Sequence, residues 1–280
     1  MPIVTLTTDY GTTDYYLAAL KASIYALEPD IKLIDISNHI KKFNIPQAAF
    51  VVQNIFNHFP KDTIHIINVS QELSDREYYQ FKKSKEDSPN DKYLVSEFNG
   101  HYFICPNNGL LPLILENEIE ASKSYLLHKS LLLFDFSKVA ANTIHHISNK
   151  KPLEEIGDYL PELYTKIAIK PFFNNDILKG TIIYIDSFGN AITNIKNSFF
   201  NDCSAGRKHM VKLKPNLKLK DNQLNDSGEL TINFGFNDVT PGEVVCFFDE
   251  NEYLKIAINF GSASQLMGLK LGDPIMIYFL

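Results

Sequence analysis

Ile3-Val4-Thr5-Leu6-Thr7-Thr8-Asp9-Tyr10-Gly11-Thr12-Thr13-Asp14 is the stretch whose reading decides the fold. Ile3 to Thr7 is a short run of apolar and β-branched residues, the pattern of a buried strand. Tyr15 to Leu27 then carries apolar residues at helical spacing until Glu28-Pro29 stops it. Ile31 to Ile36 reads as a second strand, Pro46 to Phe56 as a helix with proline in its first turn, and Thr63 to Val69 as a third strand. Strand, helix, strand, helix, strand implies a parallel sheet covered on both faces.

Outward from that core, the charged stretch Lys82 to Lys92 reads as an exposed loop, and strands are expected around Tyr93 to Ile104. Val139 to Ile147 reads as a helix and Pro152 to Gly157 as a short connection. Lys170-Pro171-Phe172-Phe173-Asn174-Asn175-Asp176 has the composition of a linker, and from Gly180 onward short strands alternate with Gly, Pro, Asn and Asp turns. The expected fold is therefore α/β: a parallel-sheet domain over residues 1–170, then a small β-barrel or sandwich of strands and turns alone over 171–280.

Composition narrows the partners. With 280 residues, 45% of them hydrophobic and 21% charged, the chain buries a sizeable core. A net charge of −6 argues against a protein that tracks nucleic-acid phosphates and in favour of a small-molecule ligand. Cys105, Cys203 and Cys246 lie far apart with no Cys-x-x-Cys pair, which suggests neither a disulfide framework nor a zinc site and fits a cytoplasmic protein with reduced thiols. The strand-like start, without a basic region or long apolar run, gives no expectation of a signal peptide or membrane association.

Two segments invite a chemical reading. Thr8-Asp9-Tyr10-Gly11 lies just past the carboxyl end of the first strand, where open α/β sheets bind ligands, and a carboxylate there can accept both hydroxyls of a ribose. The alternative is that Asp9 or Thr13 merely caps the following helix. In Asp186-Ser187-Phe188-Gly189-Asn190, Phe188 can stack on a base while Asp186 and Asn190 read polar groups, although an ordinary turn has the same composition. No glycine-rich dinucleotide or phosphate loop is present. His145 and His146, adjacent on a helix, face about 100° apart and do not chelate one ion together. No Gly-x-Ser-x-Gly elbow supports a hydrolase triad.

Taken in order, Thr8 to Gly11, Pro106-Asn107-Asn108-Gly109-Leu110-Leu111, Pro152 to Gly157, Asp186 to Asn190 and Leu254 to Ala263 resemble the family of S-adenosylmethionine hydrolases and S-adenosylmethionine-dependent halogenases. The resemblance covers nearly the whole chain. It implies a homotrimer with each site between one subunit's first domain and a neighbour's second, no cofactor, and S-adenosylmethionine or adenosine as the small-molecule partner. It also implies ligand contacts from Asp9, Phe43, Asn108, Phe134, Asp186, Phe188, Asn190, Glu250 and Asn259.

The residues expected to do the chemistry depart from the family pattern. Counted without gaps from Phe59-Pro60, the hydrolase Asp falls on Ser70 and its Arg on Glu77, with Arg76 one position away; counted back from Pro152, its His falls on Asp135. The expected catalytic set is thus Asp135 as general base with Ser70 and Arg76 positioning a water. Phe136 stands where the family has Gly or Ser, a ring expected to crowd a halide, which weakens the halogenase reading. Glu250 stands where a serine meets the methionine carboxylate, so an adenosine-type ligand with another tail, or binding without catalysis, stays open beside hydrolysis.

Overall fold

The structure is a computed structural model that describes residues 2–70, 83, 92–132, 135–166, 168–213 and 230–280. The chain divides into two compact units, Met1–Ile167 and Ala168–Leu280.

In the first unit, β1 (Ile3–Thr8), β2 (Lys32–Ser37) and β3 (Ile64–Asn68) are linked through helices α1 (Tyr16–Leu27) and α2 (Ile45–Gln53). They are followed by β4 (Tyr93–Phe98), β5 (His101–Pro106), α3 (Leu110–Leu115), β6 (Lys123–Leu127), α4 (Lys129–Leu132), α5 (Phe136–Ser148) and β7 (Gly157–Tyr159). The seven-stranded sheet runs in the order β2-β1-β3-β5-β4-β6-β7. Leu17, Leu20 and Ile24 of α1 and Val139, Ile144 and Ile147 of α5 pack with Val4, Leu6, Ile64 and Ile66. Ile45, Ala48 and Val52 of α2 and Leu111 and Ile114 of α3 pack with Ile67, Val69 and Phe103 in a second core cluster. Each such buried Leu or Ile contributes about 1.5–3 kcal/mol. With cores on both faces, β1 and β3 are buried along almost their whole length and not at alternate residues.

The sheet is only partly parallel, where the sequence suggested a parallel one throughout. β2, β1, β3 and β5 are parallel, whereas β4, β6 and β7 run antiparallel to their neighbours. The cause is local: Asn99 and Gly100 both take positive φ (51° and 77°), forming the tight turn that joins β4 to β5. Two such residues make a hairpin and leave no length for a crossover. Within the parallel part, the chain leaves β1 towards β2 and returns past it to β3, so the direction of winding reverses between β1 and β3. Their carboxyl ends form the crevice that such a reversal opens.

The second unit contains β8 (Phe172–Asn174), β9 (Ile177–Ile185), β10 (Ala191–Lys196), α6 (Asn197–Ser204), β11 (His209–Lys212), β12 (Ile232–Asn233), β13 (Val244–Phe248), β14 (Tyr253–Ile258), α7 (Ala263–Leu266) and β15 (Pro274–Phe279). Its sheet runs β11-β15-β9-β10-β14-β13-β12, with β8 also on β9. The long β9 pairs with β15 through Ile177 to Thr181 and with β10 through Ile182 to Ile185, which curls the sheet into a nearly closed barrel around one core. Two expectations change here. The unit is not made of strands and turns alone, because α6 buries Phe200 and Cys203 on one face at helical spacing. Phe172 to Asn174 is not linker but a strand, returned onto β9 by Asn175 and Asp176, both at positive φ.

The three cysteines are free and buried, and no helix among the described residues is long and apolar enough to cross a membrane. Nor do the described residues group three or more metal-ligating side chains. His145 Nδ1 meets Glu28 Oε1 at 2.7 Å and His146 Nε2 meets the Pro152 carbonyl at 2.7 Å, so both histidines serve the packing of α5.

Candidate functional site

At the carboxyl end of β1 the chain is clasped to the loop after β2. Thr8 Oγ1 donates to Asn38 Oδ1 at 2.9 Å, Gly11 N–H donates to the Asn38 carbonyl at 2.7 Å, and Ile40 N–H to the Thr8 carbonyl at 3.2 Å. Gly11 sits at φ 70°, a conformation glycine adopts without strain. This clasp holds Asp9 in a fixed, half-buried place.

Asp9 does not cap α1. The cap position is Tyr15, where no side chain accepts a hydrogen bond, so neither Asp9 nor Thr13 plays that part. The Asp9 carboxylate instead accepts the Phe43 N–H at 3.2 Å. Phe43, half exposed, is held at φ 63°, an uncommon conformation for an aromatic residue and one that persists only where its surroundings enforce it. Burial raises the Asp9 pKa, opposed by the Phe43 N–H and the charge of Lys42.

Tyr10 follows, its ring packed against the core under α1 and α5. Asn68, the last residue of β3 and almost fully buried, donates its side-chain amide to the Tyr10 hydroxyl. Burial raises the Tyr10 pKa; the Asn68 bond opposes this, and the charges of Asp9 and Asp135 add to it.

Asp135 is the N-cap of α5, its Oδ1 accepting the Lys138 N–H at 3.1 Å, and it is exposed. Phe136, one residue on, turns inward: it is buried, with its ring centroid 4.8 Å from that of Tyr93. Ser70 is half-buried just beyond β3. Asn108, fully buried, donates to the Val69 carbonyl at 3.0 Å and so fixes the backbone immediately before Ser70. Asn108 thus braces the crevice through the main chain. Arg76 and Phe134 lie outside the described residues, as does nearly all of the Lys82 to Lys92 loop.

In the second unit, the Asp186 to Asn190 turn is organised by its own first residue. Asp186 Oδ1 accepts the Phe188 N–H at 3.0 Å and the Asn190 N–H at 2.9 Å, and Oδ2 accepts the Asn190 side-chain amide at 2.9 Å. Asp186 is thus primarily the frame of the turn. The frame leaves Phe188 78% exposed, an apolar platform, while Asn190 is buried. Gly189 (φ 83°) touches the chain at Ser262 to Ser264: its carbonyl accepts the Ser264 N–H at 2.8 Å, and a Cβ there would lie 2.0 Å from Ser262 Oγ. Two motifs far apart in sequence, Asp186 to Asn190 and Leu254 to Ala263, therefore form one surface. Asn259 donates its side-chain amide to the carbonyls of Val239 (2.9 Å) and Phe236 (3.3 Å), a loop-bracing role, and Glu250 lies exposed in the turn between β13 and β14.

Sequence reading missed Asn68. An amide between Ile67 and Val69 in a strand expected to be buried was the available signal, because such a strand carries a polar group only where it finds a partner.

A doubly covered sheet with a polar, carboxylate-bearing crevice at its winding reversal defines an α/β protein that handles a small polar ligand at the strand ends. Residues 4–157 match the SAM hydroxide adenosyltransferase N-terminal domain and residues 180–276 its C-terminal domain, SAM being S-adenosylmethionine. The chain belongs to this family of enzymes. It is similar to the (R)-S-adenosyl-L-methionine hydrolase of Methanocaldococcus jannaschii, with 24% identity over 100% of this chain and 97% of the relative. It also resembles the fluorinase of an Actinoplanes species, at 23% identity over 99% of this chain and 97% of that one. An uncharacterized conserved protein from Thermotoga maritima shares the fold with a TM-score of 0.78 and 25% identity, covering 99% of this chain and 100% of the other.

Proposed function

We propose that the protein hydrolyses S-adenosylmethionine to adenosine and methionine. Water attacks the ribose C5′ as the C5′–S bond breaks; the electron pair goes to sulfur, and methionine leaves as a neutral thioether that needs no general acid. The water proton passes to the Asp135 carboxylate. Asp9 binds the ribose hydroxyls, Phe43 and Phe188 offer apolar contact surfaces, and no cofactor takes part.

The observation that carries this reading over the halogenase alternative is the pair of carboxylates in this unit, Asp9 just past the end of β1 and Asp135 at the start of α5. Asp9 and Asp135 both hold the proton of Tyr10 more tightly. Like charges repel, so a desolvated halide is disfavoured beside these carboxylates. Neutral water is not, and the substrate sulfonium is attracted.

A second reading, binding without turnover, draws support from the occupation of Asp135 as a helix cap, which ties its carboxylate to Lys138. Incubation with S-adenosylmethionine and chromatography of the products separates the two: adenosine and methionine in equal amounts are expected, and a clean absence of adenosine with stoichiometric enzyme leaves the binding reading. We further propose a cytoplasmic homotrimer whose copies complete one another's ligand sites. Sedimentation of a stable monomer that binds adenosine normally would refute that assembly.

A further inference from the structure

We infer that Asn68 is a catalytic residue that holds the attacking water, with Tyr10 as the positioning residue that aims it. The inference rests on the hydrolytic reading above and adds to it the group that orients the nucleophile.

The Asn68 side chain sits at the crevice end of β3, is only 6% exposed, and commits its NH2 to the Tyr10 hydroxyl. Its Oδ1 is buried and has no hydrogen-bond partner among the described residues. A buried amide oxygen is an acceptor that native proteins supply with a donor, from protein, water or ligand. Here the surroundings select the donor. Asp9, the residue before Tyr10, is an acceptor when ionised, so its carboxylate does not satisfy Oδ1. Water does, because it has two hydrogens to give.

A water with one hydrogen on Asn68 Oδ1 and the other on the Asp135 carboxylate keeps an oxygen lone pair free for C5′. As the C–O bond forms and the C5′–S pair withdraws to sulfur, the second proton passes to Asp135, and the hydrogen on Asn68 stays with the product hydroxyl. Asn68 exchanges no proton. Tyr10, with its pKa raised, stays neutral throughout and fixes the amide so that NH2 faces the ring hydroxyl and Oδ1 faces away from it. This pairing adds to the positioning of the water expected of Ser70, two residues further along the chain.

The test uses the full-length protein with Asn68→Leu, which removes the acceptor at similar size, and Tyr10→Phe, which removes only the anchoring hydroxyl. Turnover of S-adenosylmethionine, KM and adenosine affinity by calorimetry are measured beside wild type. Asn68→Leu is expected to lower kcat about 100-fold and Tyr10→Phe about 10-fold, with KM and adenosine affinity within about twofold. Wild-type kcat in folded Tyr10→Phe and Asn68→Leu overturns the inference alone, as does a rise in KM with kcat unchanged. Should Asn68→Leu not fold, Tyr10→Phe decides by the same criteria. Failure of wild type itself to form adenosine overturns the hydrolytic reading and this inference with it.

Discussion

Replacing His65 with Gln should flatten the acid sensitivity of the fold. His65 is fully buried on β3; its Nδ1 lies 2.8 Å from Thr5 Oγ1 and its Nε2 3.2 Å from His101 Nδ1, with Phe56, Phe59 and Phe103 around it. Burial, and secondarily the charge of His101, holds its pKa down at about 3 against an ordinary 6.5. A depressed histidine pKa means the unfolded chain takes up the proton first, so stability present above pH 6.5 is lost as pH falls from 6.5 towards 3. Each unit of pH in that window costs about 1.4 kcal/mol, or about 2 kcal/mol at pH 5. Urea unfolding at pH 7 and pH 5 reads this directly: with a slope near ~2 kcal/mol per M, the wild-type midpoint falls by about 1 M from this group, on top of a carboxylate contribution common to both proteins. His65→Gln keeps polar atoms for Thr5 and His101 while removing the titration, so its midpoint should fall less by that amount. An equal fall in both proteins would refute the assignment.

Three further outcomes are expected. Asp9→Ala should weaken adenosine binding by about 1–3 kcal/mol, since it strips an acceptor from buried ribose hydroxyls; unchanged affinity in calorimetry would leave Asp9 only its tie to Phe43. Asp135→Asn should abolish adenosine formation yet leave the melting temperature within about 1 °C of wild type, because Asn caps a helix as well as Asp but is no base; residual turnover at the wild-type rate would rule Asp135 out as the base. Gly189→Ala should destabilise the second unit by about 2 kcal/mol or more, as its φ of 83° disfavours a side chain and the new Cβ would meet Ser262 Oγ at 2.0 Å. A thermal melt like that of wild type would show instead that the Ser262 segment gives way.

Local patterns made much of this molecule legible. The apolar runs of Ile3 to Thr7 and Thr63 to Val69, separated by helical spacing, foretold β1, α1, β2, α2 and β3, because each burial pattern repeats over neighbours in the chain. The strand-end position of Asp9 followed from the same reading. Asn99-Gly100 and Asn175-Asp176 were also local signals, and reading them as tight turns would have foretold the antiparallel half of the first sheet and the strand at Phe172 to Asn174. What sequence alone left open was how each polar side chain spends its hydrogen bonds. Asp135 caps α5, Asp186 frames its own turn, and Asn259 braces the loop before β13. Those partners are fixed by backbone direction, which residue type does not encode. Only the reversal of winding between β1 and β3 brings Asn68 onto Tyr10. Contacts across dozens of residues depend on sheet order, and sheet order is settled by how the whole core packs.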